Sequence, residues 1–267
     1  MQPSGVITIT TDFGHKGPFA AVMKGVILGR FRGAQIIDLA HDIPAQWPPE
    51  AGFWVSRSYQ WFPKGTVHLA IVDPGVGTER DILLAECDGH VFMAPDNGLL
   101  AQLFDNCAES RVYKLDTSKL DSLNLPMPSA TFHGRDIFAP IAAELAAGRI
   151  SIQHMGTETH EWTPGWIDEP DVAAGKITGV IVTIDTFGNL ISNIDASLIR
   201  DFGEPIANIA GHQIAMRTTY GRAKPGDYLA LVNSFGVIEI AKSEGSAADG
   251  LGTTRGAPLV IRDGYTT

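Results

Sequence analysis

Over residues 6–148 the hydrophobic pattern switches repeatedly between the period of a strand and that of a helix, and this alternation limits the fold more than any other feature. Residues 6–10 (VITIT) carry no charge and are β-branched throughout, as a buried strand is. Phe19, Val22, Met23, Val26 and Ile27 then recur at i, i+3, i+4, i+7 and i+8, one face of a helix. Residues 35–39 (QIIDL) read as a second strand. A helix from about Pro48 follows, with prolines where a first turn tolerates them and Phe53, Trp54 and Trp61 later. Residues 66–72 (TVHLAIV) give a third strand, and residues 82–94 (ILLAECDGHVFMA) a hairpin turning on Asp88-Gly89. A last helix is expected from near Asp136 to a C-terminal cap at Gly148. Strands and helices in this order predict an α/β domain with a mostly parallel sheet sandwiched between helices.

The pattern then breaks. Residues 154–175 (HMGTETHEWTPGWIDEPDVAAG) are polar, contain two prolines and show no sustained period. Beyond them, KITGVIVTIDTFGNLISNI and GDYLALVNSFGVIEIA are strand-like with turn residues between. The expected organisation is an α/β domain over 1–155, a linker over 156–175 and a smaller, barrel-like β domain over 176–267.

With 30 acidic against 20 basic side chains the formal charge is −10, which disfavours a nucleic-acid backbone as partner and tolerates a cationic small molecule. Cys87 and Cys107 are too few for a disulfide framework or a zinc site and are expected as reduced, partly buried thiols. The first residues lack a basic stretch followed by an apolar core, and no apolar run approaches the ~18 residues of a membrane span. A soluble, cytoplasmic protein is the expectation.

Ligands of open α/β sheets bind beyond the carboxyl ends of the strands. Those ends carry Asp12 (TTDFG), His41 and Asp42 (LAHD), Asp73 (VDPGVG), and Asp96 with Asn97 (APDNG). Asp96 and Asn97 are common turn formers, Asp42 suits a cap, and a lone His41 fits a satisfied, half-buried ring. Asp12 and Asp73 stand out because each ends a buried strand and has a glycine close behind it, where a ligand can approach. Residues 129–140 (SATFHGRDIFAP) add His133 and Arg135 just before a helix, with Asp136 as its candidate N-cap. There is no HExxH, no GxSxG, and GVGTER lacks the lysine of a phosphate-binding loop. What remains is a carboxylate, a guanidinium and an imidazole able to position a small polar reactant. Catalysis, ligand sensing without turnover and metal-dependent phosphoester hydrolysis all stay open at this level.

Taken in order, TDFG with MKG, VDPGVGTER, PDNGLL, TFHGRDIFAP and DTFGNLISNI resemble the S-adenosylmethionine hydroxide adenosyltransferases, relatives of the fluorinating and chlorinating enzymes, over nearly the whole chain. The resemblance implies a homotrimer that binds S-adenosyl-L-methionine between the first domain of one subunit and the second of its neighbour. It implies attack of water on the 5′ carbon, giving adenosine and methionine, with no cofactor and no metal. It assigns Asp73, Arg80 and His133 to the water and Asp12 to the ribose hydroxyls. Trp47 corresponds to an aromatic wall, Asp185 to a contact with the methionine amino group, and Phe187 and Asn189 to contacts around the adenine. Ser234 corresponds to a contact at the methionine end, with Glu239 and the backbone near Lys242 in the same pocket. The halogenating relatives have an aromatic hydroxyl, a threonine and a serine where this chain has Asp73, Val76 and Gly134. They also carry acids at Gly17 and Pro18, a serine at Phe19 and an arginine at Phe235. A 5′-halo-5′-deoxyadenosine synthase and a non-catalytic adenosyl-ligand-binding protein are the alternatives that the resemblance leaves.

Overall fold

The computed structural model describes residues 2–264, and the chain divides after Trp166 into two compact units. The first contains, in order, β1 (Val6–Thr11), α1 (Phe19–Arg30), β2 (Gln35–Ala40), α2 (Pro48–Ser58), β3 (Val67–Ile71), β4 (Ile82–Cys87) and β5 (His90–Pro95). It continues with α3 (Ala101–Asp105), β6 (Arg111–Leu115), α4 (Ala139–Ala146), α5 (Ile152–Met155) and β7 (Gly156–Thr159). The seven strands form one sheet in the order β2-β1-β3-β5-β4-β6-β7. Pairing is parallel from β2 to β5 and antiparallel from β5 to β7. The expected α/β sandwich is present, and its sheet is mixed.

The two-residue period of the central strands builds the sandwich. Leu69 and Ile71 of β3, Leu84 of β4 and Met93 of β5 face one layer, where Met23 and Ile27 of α1 and Ile141 of α4 cover them. Ala70, Leu83 and Phe92 face the other, against Val55 of α2 and Leu103 of α3. Strands buried on both faces read as continuous apolar runs, which is why their sequence signal is clear. Between β4 and β5 the backbone turns through Asp88 (φ 50°) and Gly89 (φ 80°), the double positive φ of a tight hairpin turn.

Three expectations are corrected. Cys87, ending β4, and Cys107, just after α3, are joined by a disulfide rather than reduced, with Cα atoms 6.2 Å apart. Both thiols are buried in the layer under α2 and α3, where the chain after α3 folds back beneath the hairpin; a separation of 20 residues carries no local signal of that approach. The helix expected from Asp136 starts earlier, with one wide π-helical turn over Gly134–Phe138 that runs into α4. Within the stretch expected as linker, Gly156–Thr159 forms the edge strand β7, paired with β6.

The second unit contains β8 (Asp171–Ala173), β9 (Lys176–Ile184), β10 (Leu190–Asp195), β11 (Pro205–Ile209), β12 (His212–Ala215), β13 (Tyr228–Val232), β14 (Val237–Lys242), α6 (Ala247–Leu251) and β15 (Pro258–Asp263). Seven of its strands run antiparallel in the order β12-β11-β15-β9-β10-β14-β13, and β8 adds to β9. A bridge between Met216 and Ala230 brings the β12 end of this path to β13 and nearly closes the barrel. Its interior holds Ile177, Ile181, Leu190, Ile240 and Ile261. Among the described residues no helix is long and apolar enough to cross a membrane.

α4 is buried along its whole length, so its one acid needs partners. Glu144 accepts from Arg30 (3.0 Å) and Arg149 (2.6 Å), and the hydrogen bond from Arg149 leads in holding its carboxyl below the usual range, against the opposing effect of burial. Replacing Glu144 with Gln is expected to cost about 1–3 kcal/mol in urea denaturation, since a charged hydrogen-bonded pair is lost in a buried setting.

Candidate active site

Asp73 lies two residues beyond β3, and Arg80 returns to it across the turn formed by residues 74–79. Arg80 Nε donates to both carboxylate oxygens at 2.9 Å, and Nη2 makes a further short contact to Oδ2. Both side chains are nearly buried, 6% and 11% exposed, so the pair is shielded from screening water. The same Nη2 lies 3.1 Å from His133 Nδ1. A guanidinium only donates, so Nδ1 accepts and the ring proton of neutral His133 sits on Nε2. Burial, reinforced by the charge of Arg80, holds the His133 pKa below its ordinary 6.5.

The turn is sterically keyed to the histidine segment. Gly77 has φ 80°, and a Cβ there would collide with the carbonyl oxygen of Ala130. Asp136 anchors the other side. It is not an N-cap but a buried acceptor for Ser129 N (2.8 Å), Ser129 Oγ (2.7 Å) and Arg135 Nε (2.6 Å). Those bonds, that from Arg135 foremost, bring its carboxyl down to about 2 against the cost of burial.

Asp73 and His133 open onto a cavity of about 370 Å³ that Asp12, Gln46, Phe13, Phe19 and Phe132 also line. Asp12 Oδ2 accepts from Gln46 N (2.9 Å), and among the described residues Oδ1 has no hydrogen-bond partner. His41 is structural: its ring bridges Thr11 (2.8 Å) and Asp38 (2.9 Å), tying the ends of β1 and β2 together. Asn97 bonds the carbonyl of Val72 (2.8 Å) and Asp96 holds Thr163 N (2.7 Å), so both are turn residues as expected. Trp47 packs edge-on against Trp166, ring centroids 5.9 Å apart.

In the second unit, a cavity of about 710 Å³ is lined by Asp185, Phe187, Asn189, Tyr220 and Lys242. The Asp185 carboxylate accepts from Phe187 N, Asn189 N and Asn189 Nδ2, all at 2.9 Å, and so shapes the loop that presents Phe187. Phe187 is 76% exposed. Glu239 is buried behind this wall, accepting from Tyr220 Oη (2.7 Å) and Asn233 Nδ2 (3.2 Å). Its burial raises its pKa, against the pull of those two bonds. Ser234 is exposed on the turn between β13 and β14, outside the residues lining this cavity.

The family model for the SAM hydroxide adenosyltransferase N-terminal domain matches residues 7–156, and that for the C-terminal domain residues 179–260. The chain belongs to this family. It is 35% identical to an (R)-S-adenosyl-L-methionine hydrolase of Salinispora tropica, covering 99% of this chain and 100% of that one. A Thermus thermophilus protein of the same name is 34% identical, covering 93% and 96%. A fluorinase of an Actinoplanes species is more distant, at 25% over 89% of this chain and 91% of its own. A crystal structure of an uncharacterized conserved protein from Thermotoga maritima superposes with a TM-score of 0.87 at 31% identity, covering 96% of this chain and 99% of that one.

As a SAM hydroxide adenosyltransferase the chain has two features that sequence reasoning passed over. Tyr220 stands in a polar stretch (TTYGR), where an isolated aromatic was the only signal. Gln46 holds Asp12 through its backbone at φ 62°, a role that side-chain chemistry cannot announce. His133 is expected to titrate below 6.5 with Nε2 protonated when neutral, as read by nitrogen-detected NMR. A midpoint above 6.5, or a proton on Nδ1, contradicts the Arg80 contact.

Proposed function

We propose that Asp73, Arg80 and His133 hold a water in line with the C5′–S bond of S-adenosyl-L-methionine, and that this is how the chain, an adenosine-forming hydrolase, releases adenosine and L-methionine. The observation that carries the reading is the single guanidinium shared by the Asp73 carboxylate and His133 Nδ1. A sulfonium leaves as a neutral thioether, so the reaction needs no acid on sulfur; it needs a nucleophile held at near-attack distance. His133 Nε2–H donates to the water, and Asp73 accepts one of its protons. The new bond is C5′–O, and the C5′–S electron pair stays with the sulfur of methionine. Asp12, with one oxygen open, accepts from the ribose hydroxyls.

The same carboxylate discriminates against halides. Asp73 lines the cavity where the nucleophile sits, and its charge repels chloride or fluoride. The substrate is the R sulfonium epimer, the species that the hydrolase relatives carry in their names. A homotrimer completes the site, with Asp185, Phe187, Asn189, Ser234, Glu239 and Lys242 supplied by a neighbouring subunit and Trp47 flanking the adenosyl group. In this reading Glu239 acts through Tyr220, which it holds in place.

In labelled water the label is expected in the 5′ hydroxyl of adenosine; unlabelled adenosine rules out attack at C5′. Asp73→Asn and His133→Ala are each expected to lower kcat by about 100-fold or more with little change in substrate affinity. Unchanged turnover in either variant removes it from the mechanism. Mixing inactive Asp73→Asn with inactive Asp185→Ala subunits tests the shared site: partial recovery of activity is expected, and none is expected if each chain builds its own site.

A further inference from the structure

The cavity in the first unit has one wall that the water, ribose and turn do not account for. Phe13, Phe19 and Phe132 meet there as a three-ring cluster, with centroids 6.0, 5.9 and 5.5 Å apart and interplanar angles of 59°, 74° and 85°. Phe19 is 49% exposed at the start of α1, so its ring stays accessible although it packs on the other two. Among the described residues no lysine or arginine lines this cavity; its carboxylates are Asp12 and Asp73, the latter paired with Arg80 from behind the wall. Aromatic faces with carboxylates opposite form a surface for a cation with an apolar shell.

We propose that Phe13, Phe19 and Phe132 form a receptor for the sulfonium of the substrate, and that this receptor separates the cationic sulfonium from neutral thioethers. The inference rests on the function proposed above. With the ribose on Asp12 and C5′ against the water at Asp73 and His133, the sulfur is one bond away and on the side opposite the water. Its methyl group and its side chain are assigned to the ring cluster, which lines the same cavity. Phe132 is already occupied on one face, where Arg135 Cζ lies 5.3 Å from its centroid, paired with Asp136. Phe13 and Phe19 therefore carry the recognition, and Phe19 is the accessible member.

The charge on sulfur disappears as the C–S bond breaks. An interaction with that charge is strongest in the ground state and weakens toward the transition state, so it serves binding and not the rate of the chemical step. The methionine thioether that leaves carries no charge and gains nothing from it. A ring that merely supported the fold would affect both kinetic constants and both ligand types.

The experiment compares wild type with Phe19→Leu and Phe19→Tyr, measuring kcat and KM for S-adenosyl-L-methionine and the inhibition constant of the neutral thioether S-adenosylhomocysteine. For Phe19→Leu the expected result is a rise in KM of about three- to tenfold, kcat unchanged or slightly raised, and no change for the thioether. Phe19→Tyr, which keeps the ring, is expected to stay within about twofold of wild type. Equal losses for sulfonium and thioether, or a fall in kcat at constant KM, overturn the receptor. If wild type forms no adenosine, the hydrolase reading has failed by itself. Equilibrium dialysis of the two ligands then judges the receptor separately: loss of sulfonium preference in Phe19→Leu supports it, and an unchanged preference overturns it.

Discussion

Arg80 is the residue around which the first unit's cavity is organised. It bonds the acid at the end of β3 along one edge of its guanidinium and touches the imidazole at the head of the π-helical turn with the same Nη2. A lysine could not do this, because a rigid planar fork is needed to satisfy a carboxylate twice and still reach a ring nitrogen. The contact also fixes chemistry that the residue types leave undecided. With Nδ1 accepting from a permanent cation, the imidazole faces the cavity as a donor. On the proposed mechanism the acceptor for the water's proton is then Asp73.

The support behind this arrangement is polar, and most of it lies one layer away from the cavity. Asp136 ties down the Ser129 loop, and His41 ties β1 to β2. In the second unit, Glu239 anchors Tyr220, and Asp185 closes the loop under Phe187. Each of these acids or rings is committed to backbone or side-chain donors, which holds the exposed aromatic and carboxylate faces where they are.

Much of this organisation was legible because it depends on local rules. Continuous apolar runs announced β1, β3, β4 and β5, and Asp88-Gly89 announced its hairpin. Strand ends in an α/β sheet directed attention to Asp12 and Asp73. What stayed hidden depends on contacts distant in sequence or on backbone shape. The Cys87–Cys107 disulfide requires the chain after α3 to fold beneath the hairpin. The π-helical turn at Gly134–Phe138 has no propensity signature, and the capping motif that its sequence suggests at Asp136 yields to a buried ion pair with Arg135. Trp47 and Ser234 were placed by resemblance alone; Trp47 packs on Trp166, and Ser234 is exposed on the turn between β13 and β14. Tyr220 and the three-ring cluster gather side chains from separate segments, which periodicity cannot foresee.

The fit of Gly77 against Ala130 has a temporal consequence. The two loops are in close contact there, and the end of the cavity that holds Asp73, Arg80 and His133 is built from the chain's own hydrogen bonds. A water at the interlocked end would be oriented before any substrate arrives. Each turnover consumes that water and orders a new one, but the donor and the acceptor that orient it are set once, on folding.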